Sequence, residues 1–309
     1  MIERLPIFFH SFAPSSKILH IRFVWQDQVQ YGVLYNETTI LNLRALDNGF
    51  PSSLLEGIRA GEAFTGRVRE ALKKPEATLE GALVPLHEVS CLPPIPNPVR
   101  NMLCVGKNYR EHAIEMGSAE DIPEHIIVFT KATTTVNAHE APVDSHRTVT
   151  RELDYEGELA VVIGKEGKQI AKENALSHVF GYTILNDITA RDLQRKHKQY
   201  FIGKSLDGSC PVGPWIVDHS EIENPNALDI VTKVNGEVRQ QSNTSRFIFP
   251  VEEIISELSK GMTLLPGDII ATGTPAGVGN GFHPPRFLNP GDEVEITVEK
   301  VGTLRNTIK

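Results

Sequence analysis

Four acidic residues at alternate positions, Glu152, Asp154, Glu156 and Glu158 in RELDYEGELAVVIG (151–164), are the first place where this chain could do chemistry. Side chains alternate along a strand, so all four would share one face, which Ala160 and Val162 continue. Spacing alone leaves two readings. An exposed strand end would keep the acids in water. A strand running into the core would press Glu156 or Glu158 against apolar neighbours, where adjacent carboxylates must protonate, meet cations or bind a metal. Asp187, closing the apolar run YTILND, is a third acid that serves either a site or the cap of the following helix. Three carboxylates with no His or Cys partner suit a hard divalent cation, Mg2+, Mn2+ or Ca2+ before zinc, and leave coordination positions for water or substrate.

Other chemistry-bearing residues are scattered. His112 and Glu115 stand three apart in NYREHAIEMG, so on a helix they share a face, and a carboxylate beside an imidazole makes a general base. The same spacing is common in surface pairs. Lys204 in FIGKSLDG and Lys131 in IVFTKA are cations in apolar settings, either fixed near a site or snorkelling. The glycine-rich TGTPAGVGNG (272–281) has neither the phosphate-loop pattern nor G-x-G-x-x-G after a strand, so no nucleotide loop is expected. Cys91, Cys104 and Cys210 form no C-x-x-C pair, which argues against a disulfide framework, and Cys210 reads as a buried thiol.

These residues need elements to hold them. Residues 18–43 alternate and turn like successive short strands, followed by helical patterning in SSLLEGIRAG and TGRVREALKK. Four prolines in CLPPIPNPVR (91–100) exclude helix and central strand. They suggest a boundary between a small N-terminal domain, 1–95, and a main domain, 96–309. In the second part NMLCVG, ELAVVIG and YTILND read as strands, with a short helix at NYREHAIEMG ending near Gly117. TARDLQRKHKQ reads as a helix with Thr189 as N-cap. VNGEVRQ marks a hairpin at Asn235-Gly236, and PVEEIISELSKGM an amphipathic helix.

The 309-residue chain carries a formal net charge of -8, and its densest basic run, RDLQRKHKQ, reads mainly as a solvated helix face. Nucleic acid and anionic membranes are therefore unexpected partners. No run approaches a membrane span, and MIERLPIFFHSFAPSSKILH lacks the pattern of a secretion signal, so a cytoplasmic setting is expected.

Taken together, VGKNYREHAIEMG, DYEGELAVVIG, GYTILNDITARDLQ, GKSLDGSCPVGP, VNGEVRQ and GDIIATGTPAGVG resemble, in order, the fumarylacetoacetate hydrolase family, over about residues 101–298. HKQYFIGKSLD and KGMTL are similar to bacterial members that also carry a small N-terminal domain. The resemblance implies a mainly β (α+β) fold, a mixed β-roll or sandwich with a small N-terminal α/β domain, usually a homodimer. It also implies Mg2+ or Mn2+ held by Glu156, Glu158 and Asp187. His112 and Glu115 would be a base dyad on a lid helix, and Lys204 the cation facing the reacting carbonyl. Lys131, Arg191, Gln194 and Thr274 would surround the substrate. The implied substrates are 2-oxo acids, which can chelate a metal through carboxylate and 2-oxo oxygens. Oxaloacetate decarboxylation is favoured, with acylpyruvate hydrolysis, hydration or isomerisation of unsaturated 2-oxo diacids, and a non-enzymatic 2-oxo acid binding protein as alternatives. Glu152 and Asp154 would lie behind the ligands or face solvent.

Overall fold

The computed structural model describes residues 17–309, so most of the N-terminal stretch read for a secretion signal lies outside the described residues. The first strands are β1 (Leu19–Trp25), β2 (Gln28–Asn36), β3 (Thr39–Asn42), β4 (Leu83–Pro85) and β5 (Ser90–Leu92). Helices α1 (Leu43–Leu46), α2 (Leu54–Ala60) and α3 (Glu62–Leu72) interrupt them. Next come β6 (Met102–Gly106), helix α4 (Arg110–Glu115), β7 (Ile127–Lys131), β8 (Val136–Asn137), β9 (Leu153–Asp154), β10 (Gly157–Ile163), β11 (Val179–Asn186) and β12 (Thr189–Ala190). Helices α5 (Arg191–His197) and α6 (Phe201–Lys204) lead to β13 (Cys210–Asp218), β14 (Asp229–Val234) and β15 (Glu237–Asn243). Helix α7 (Val251–Gly261) precedes β16 (Ile269–Ala271), β17 (Glu293–Val298) and β18 (Gly302–Thr307).

One open mixed sheet runs in the order β4-β3-β2-β1-β13-β11-β10-β16-β6-β7, with β5 on β1 and β8 on β13. A second, antiparallel sheet, β15-β14-β17-β18, packs over β10, β11 and β13. The fold is thus mainly β with few helices, as the sequence implies. The central strands are covered on both sides. Leu159, Val161 and Ile163 join one core with Ile230, Ile296 and helix α7, whereas Ala160 and Val162 join another with Leu54, Ile58, Phe64 and Val68 of the N-terminal helices. That double burial is why β10, β11 and β13 are apolar nearly throughout.

The proline-rich stretch does not separate two sheets. β1 pairs antiparallel with β13 through Leu19–Val217 and His20–Ile216, so residues on either side of it share one ladder. The hairpin forms as expected: Asn235 and Gly236 both have positive φ, 53° and 78°, the conformation a two-residue primed turn demands. Thr189 does not cap α5; it lies in β12, and Ala190 occupies the cap position with no side-chain bond. Its hydroxyl bonds instead to the Asp187 carbonyl, 2.9 Å, and reaches Glu156, 3.4 Å. A buried carboxylate nearby outcompetes the local capping role. In the basic run, Arg195, Lys196 and His197 are solvated as expected, but Arg191 is buried.

Candidate active site

Cross-strand register builds the acidic cluster. Gly157 faces Asn186 across the β10–β11 ladder, and the Asp187 N–H donates to the Glu156 carbonyl at 2.9 Å, so Glu156 and Asp187 are the next opposed pair. Glu158 lies two residues along the same face. The carboxylates of Glu156, Glu158 and Asp187 offer ligand oxygens all within 4.8 Å of one another, and all three residues are buried. Reading these acids as exposed is therefore overturned, as is the capping role for Asp187.

Buried cations surround the cluster unevenly. Lys204 Nζ lies 2.8 Å from Glu156 Oε2 and 2.7 Å from Asp187 Oδ2. Lys131 Nζ lies 2.9 Å from Asp187 Oδ1 and donates to the Ile188 carbonyl. Arg191 Nη2 lies 2.7 Å from Glu156 Oε1, while its Nε donates to Asp154 at 2.8 Å. Burial alone would raise the Glu156 pKa, but Lys204 and Arg191 overcome it and hold the carboxyl down at about 2. Glu158 has no ion-pair partner among the described residues. Its carboxylate accepts the Gly273 N–H at 2.7 Å, and burial, reinforced by the charges of Asp187 and Glu156, pushes its pKa well above the carboxylate range. Gly273 can present that N–H because its φ of 101° suits only glycine.

This arrangement fits a divalent cation. The donor set is all carboxylate oxygen, and the one acid left without positive charge is the third potential ligand. Glu156, Glu158 and Asp187 would hold the ion, beside an ammonium that already meets part of their charge.

Helix α4 carries the dyad. His112 is buried, and its Nδ1 lies 3.0 Å from Glu115 Oε2. The other Glu115 oxygen accepts the Gly277 N–H at 2.8 Å, which ties the helix to the loop after β16. With Nδ1–H donated to Glu115, Nε2 is the nitrogen available as a base. When His112 carries a proton, its charge adds to the field that keeps Glu156 ionised.

Lys204 owes its position to Gly203. A Cβ there would sit 2.7 Å from the Gln194 nitrogen and 2.8 Å from the Ala190 carbonyl, so only glycine lets α6 pack this closely on α5. The burial of Lys204 favours the neutral amine, but Asp187 and Glu156 reverse that and raise its pKa. Its ammonium also lies over the Phe129 ring, 4.9 Å from the centroid.

The residues expected around a substrate are already engaged within the protein. Lys131 and Arg191 hold carboxylates. Gln194 accepts from Arg191 at 3.1 Å. The Thr274 hydroxyl donates to the Gly157 carbonyl and accepts from Gln240. Of the two outer acids, Glu152 pairs with Arg195 at the surface, whereas Asp154 is fully buried, pairs with Arg191 and accepts the Gly279 and Asn280 N–H groups. Asp154 therefore lies behind the ligands. Two further residues stand out in the structure: Asn108, whose amide bridges Phe249 and the Thr272 carbonyl and ties the segment before helix α4 to the glycine-rich loop, and Tyr109, whose buried hydroxyl has no hydrogen-bond partner among the described residues. Both stand within the NYREH stretch, yet neither has a spacing signal.

An open mixed sheet carrying three clustered, buried carboxylates, together with a buried His–Glu pair on helix α4, points to a class of enzyme. The chain belongs to the fumarylacetoacetate hydrolase family: the profile for the fumarylacetoacetate (FAA) hydrolase C-terminal region matches residues 101–309. It is 54% identical over 286 residues to oxaloacetate tautomerase YisK of Bacillus subtilis, covering 90% of this chain and 95% of that protein. Among solved structures it resembles a fumarylacetoacetate hydrolase from Exiguobacterium antarcticum, with a TM-score of 0.82 and 40% identity over 94% of this chain and 99% of the other. It also resembles a probable 2-hydroxyhepta-2,4-diene-1,7-dioate isomerase from Mycobacterium abscessus, with a TM-score of 0.78 and 32% identity over 94% and 98%. Among the described residues no helix is long and apolar enough to cross a membrane.

Proposed function

We propose that this protein interconverts the keto and enol forms of oxaloacetate or a close 2-oxo dicarboxylate, with His112 as proton carrier. The observation that carries this reading is the buried His112, paired to Glu115 on helix α4. In ketonisation the enol O–H proton passes to a base. The C2=C3 electron pair moves to C3, which takes a proton, and the C2 carbonyl forms. His112 Nε2 is the group to carry that proton, and the Glu115 carboxylate stabilises the imidazolium. Lys204 supplies fixed positive charge where the enolate oxygen develops its negative charge. Arg191 and Lys131 keep the carboxylates in place. A divalent ion held by Glu156, Glu158 and Asp187 would supply Lewis acidity toward the substrate's 2-oxo oxygen and adjacent carboxylate.

Oxaloacetate decarboxylation and acylpyruvate hydrolysis would reach a similar enolate by breaking a C–C bond. The 54% identity to a tautomerase supports proton transfer alone over the decarboxylation that the sequence resemblance favours. The test follows the decay of enol absorbance in oxaloacetate while a lactate dehydrogenase couple measures pyruvate, with Mg2+ or Mn2+. Metal without protein is the control, because free divalent ions also act on oxaloacetate. Accelerated enol decay without matching pyruvate, abolished in Glu156→Gln, is expected. Pyruvate appearing as fast as enol disappears would replace tautomerisation by decarboxylation, and no acceleration over metal alone would reject both.

A further inference from the structure

A cavity of about 460 Å³ has none of the proposed catalytic residues in its lining. Arg151, Arg239 and Arg286 line it, with Val234, Pro285 and Phe287 as apolar wall. Three guanidinium groups here meet two carboxylates. Glu237 takes Arg286 through two contacts of 2.7 Å and Arg239 at 3.1 Å. Asp292 accepts from the Asn235 amide and the Asn289 N–H. The Arg151 side chain has no partner among the described residues. Arg239 is the unusual member: its side chain is only 8% exposed, and its buried Nε has no hydrogen-bond partner among the described residues. Within the described residues Glu237, which it shares with Arg286, is its one ion-pair partner, so its charge is only partly met. The Phe282 ring lies 5.4 Å from the Arg239 guanidinium carbon and 5.1 Å from that of Arg286, so both cations meet one aromatic ring.

We infer that this cavity is a binding site for a small organic carboxylate, separate from the catalytic cluster. Planar guanidinium groups match carboxylate geometry. The volume falls in the range of small-molecule sites, and the apolar wall accommodates a carbon skeleton that a lone tetrahedral anion lacks. The bound carboxylate would accept from Arg151 and Arg239 and lie against Pro285 and Phe287. The cavity adjoins the catalytic lid through one loop: Arg286 belongs to the segment whose Gly277 N–H holds Glu115, and Gly277 packs directly on the Arg239 carbonyl.

The test is isothermal titration of the full chain with succinate and with tricarballylate in phosphate-free buffer. Neither probe has the 2-oxo group that a chelating substrate needs, so the result is independent of the tautomerase reading. Inorganic phosphate is the comparison arm. We expect saturable binding of the carboxylates, weakened about tenfold in Arg151→Ala and at least as much in Arg239→Ala. Arg151 is exposed and unpartnered, so its variant folds whatever becomes of the Arg239 one. No binding to the native protein, binding undiminished in Arg151→Ala, or phosphate binding tighter than both carboxylates would overturn the assignment.

Discussion

Glu156→Gln and Glu158→Gln are the same isosteric change, two residues apart on one face, and the structure gives them opposite energetics. Glu156 carries two buried cations, Lys204 at 2.8 Å and Arg191 at 2.7 Å. Removing its charge leaves both with one fewer counter-ion in a buried setting, where breaking such a pair costs about 3–5 kcal/mol. Glu158 carries none, and burial already favours its protonated form. A neutral glutamine in its place changes the metal-free fold by about 1 kcal/mol or less, since the Gly273 N–H still finds an amide oxygen. With divalent ion the order changes. The native protein gains about 2.7 kcal/mol when the ion is a hundredfold above its dissociation constant. Glu158→Gln loses most of that gain because a ligand oxygen is replaced by a weaker one. The assay is urea denaturation in chelator and then in Mg2+ or Mn2+. Equal destabilisation of the two variants in chelator would refute the charge assignment. An undiminished metal gain in Glu158→Gln would refute its place among the ligands.

His112→Ala is expected to slow proton transfer by roughly 10²–10⁴-fold, far more than its loss of about 1–3 kcal/mol of stability explains when assayed well below the unfolding midpoint, and, where a C–C cleavage is also found, to harm a hydrolysis more than a decarboxylation. Gly203→Ala forces backbone apart at Gln194 and Ala190 and displaces Lys204, so it is expected to cost about 1–3 kcal/mol and to lower turnover, read from denaturation and initial rates. His139 is held neutral by burial, its pKa lowered to about 4, and its Nδ1 accepts the Arg305 N–H. Its folded pKa lies below the unfolded value, so the unfolded chain takes up the proton first and stability falls as pH drops from about 6.5 toward 4. Between pH 7 and pH 5 this histidine's share of the loss is about 2 kcal/mol, measured as the difference in pH dependence between the native protein and His139→Phe. An identical slope in the variant would show that the loss comes from other groups.

Local periodicity was enough to find much of this protein. Short apolar runs in ELAVVIG and YTILND mark two central strands, Asn235-Gly236 marks the hairpin, and the three-residue step from His112 to Glu115 puts the two on one helix face, a spacing surface pairs share. Each depends only on backbone geometry over a few residues, which sequence spacing encodes directly. The resemblance of the motif set extended that reading to the family. Burial and charge pairing were another matter. Glu156, Glu158 and Asp187 become one cluster because β10 and β11 align in a particular register, and Asp154 becomes a buried partner of Arg191 rather than a solvent acid only when α5 packs against the strand end. Thr189 gives up its cap, Lys131 holds Asp187, and the proline-rich stretch joins strands of one continuous sheet. These outcomes were decided by tertiary structure, because the field at a carboxylate and the partner of a buried cation depend on residues tens of positions away in the chain.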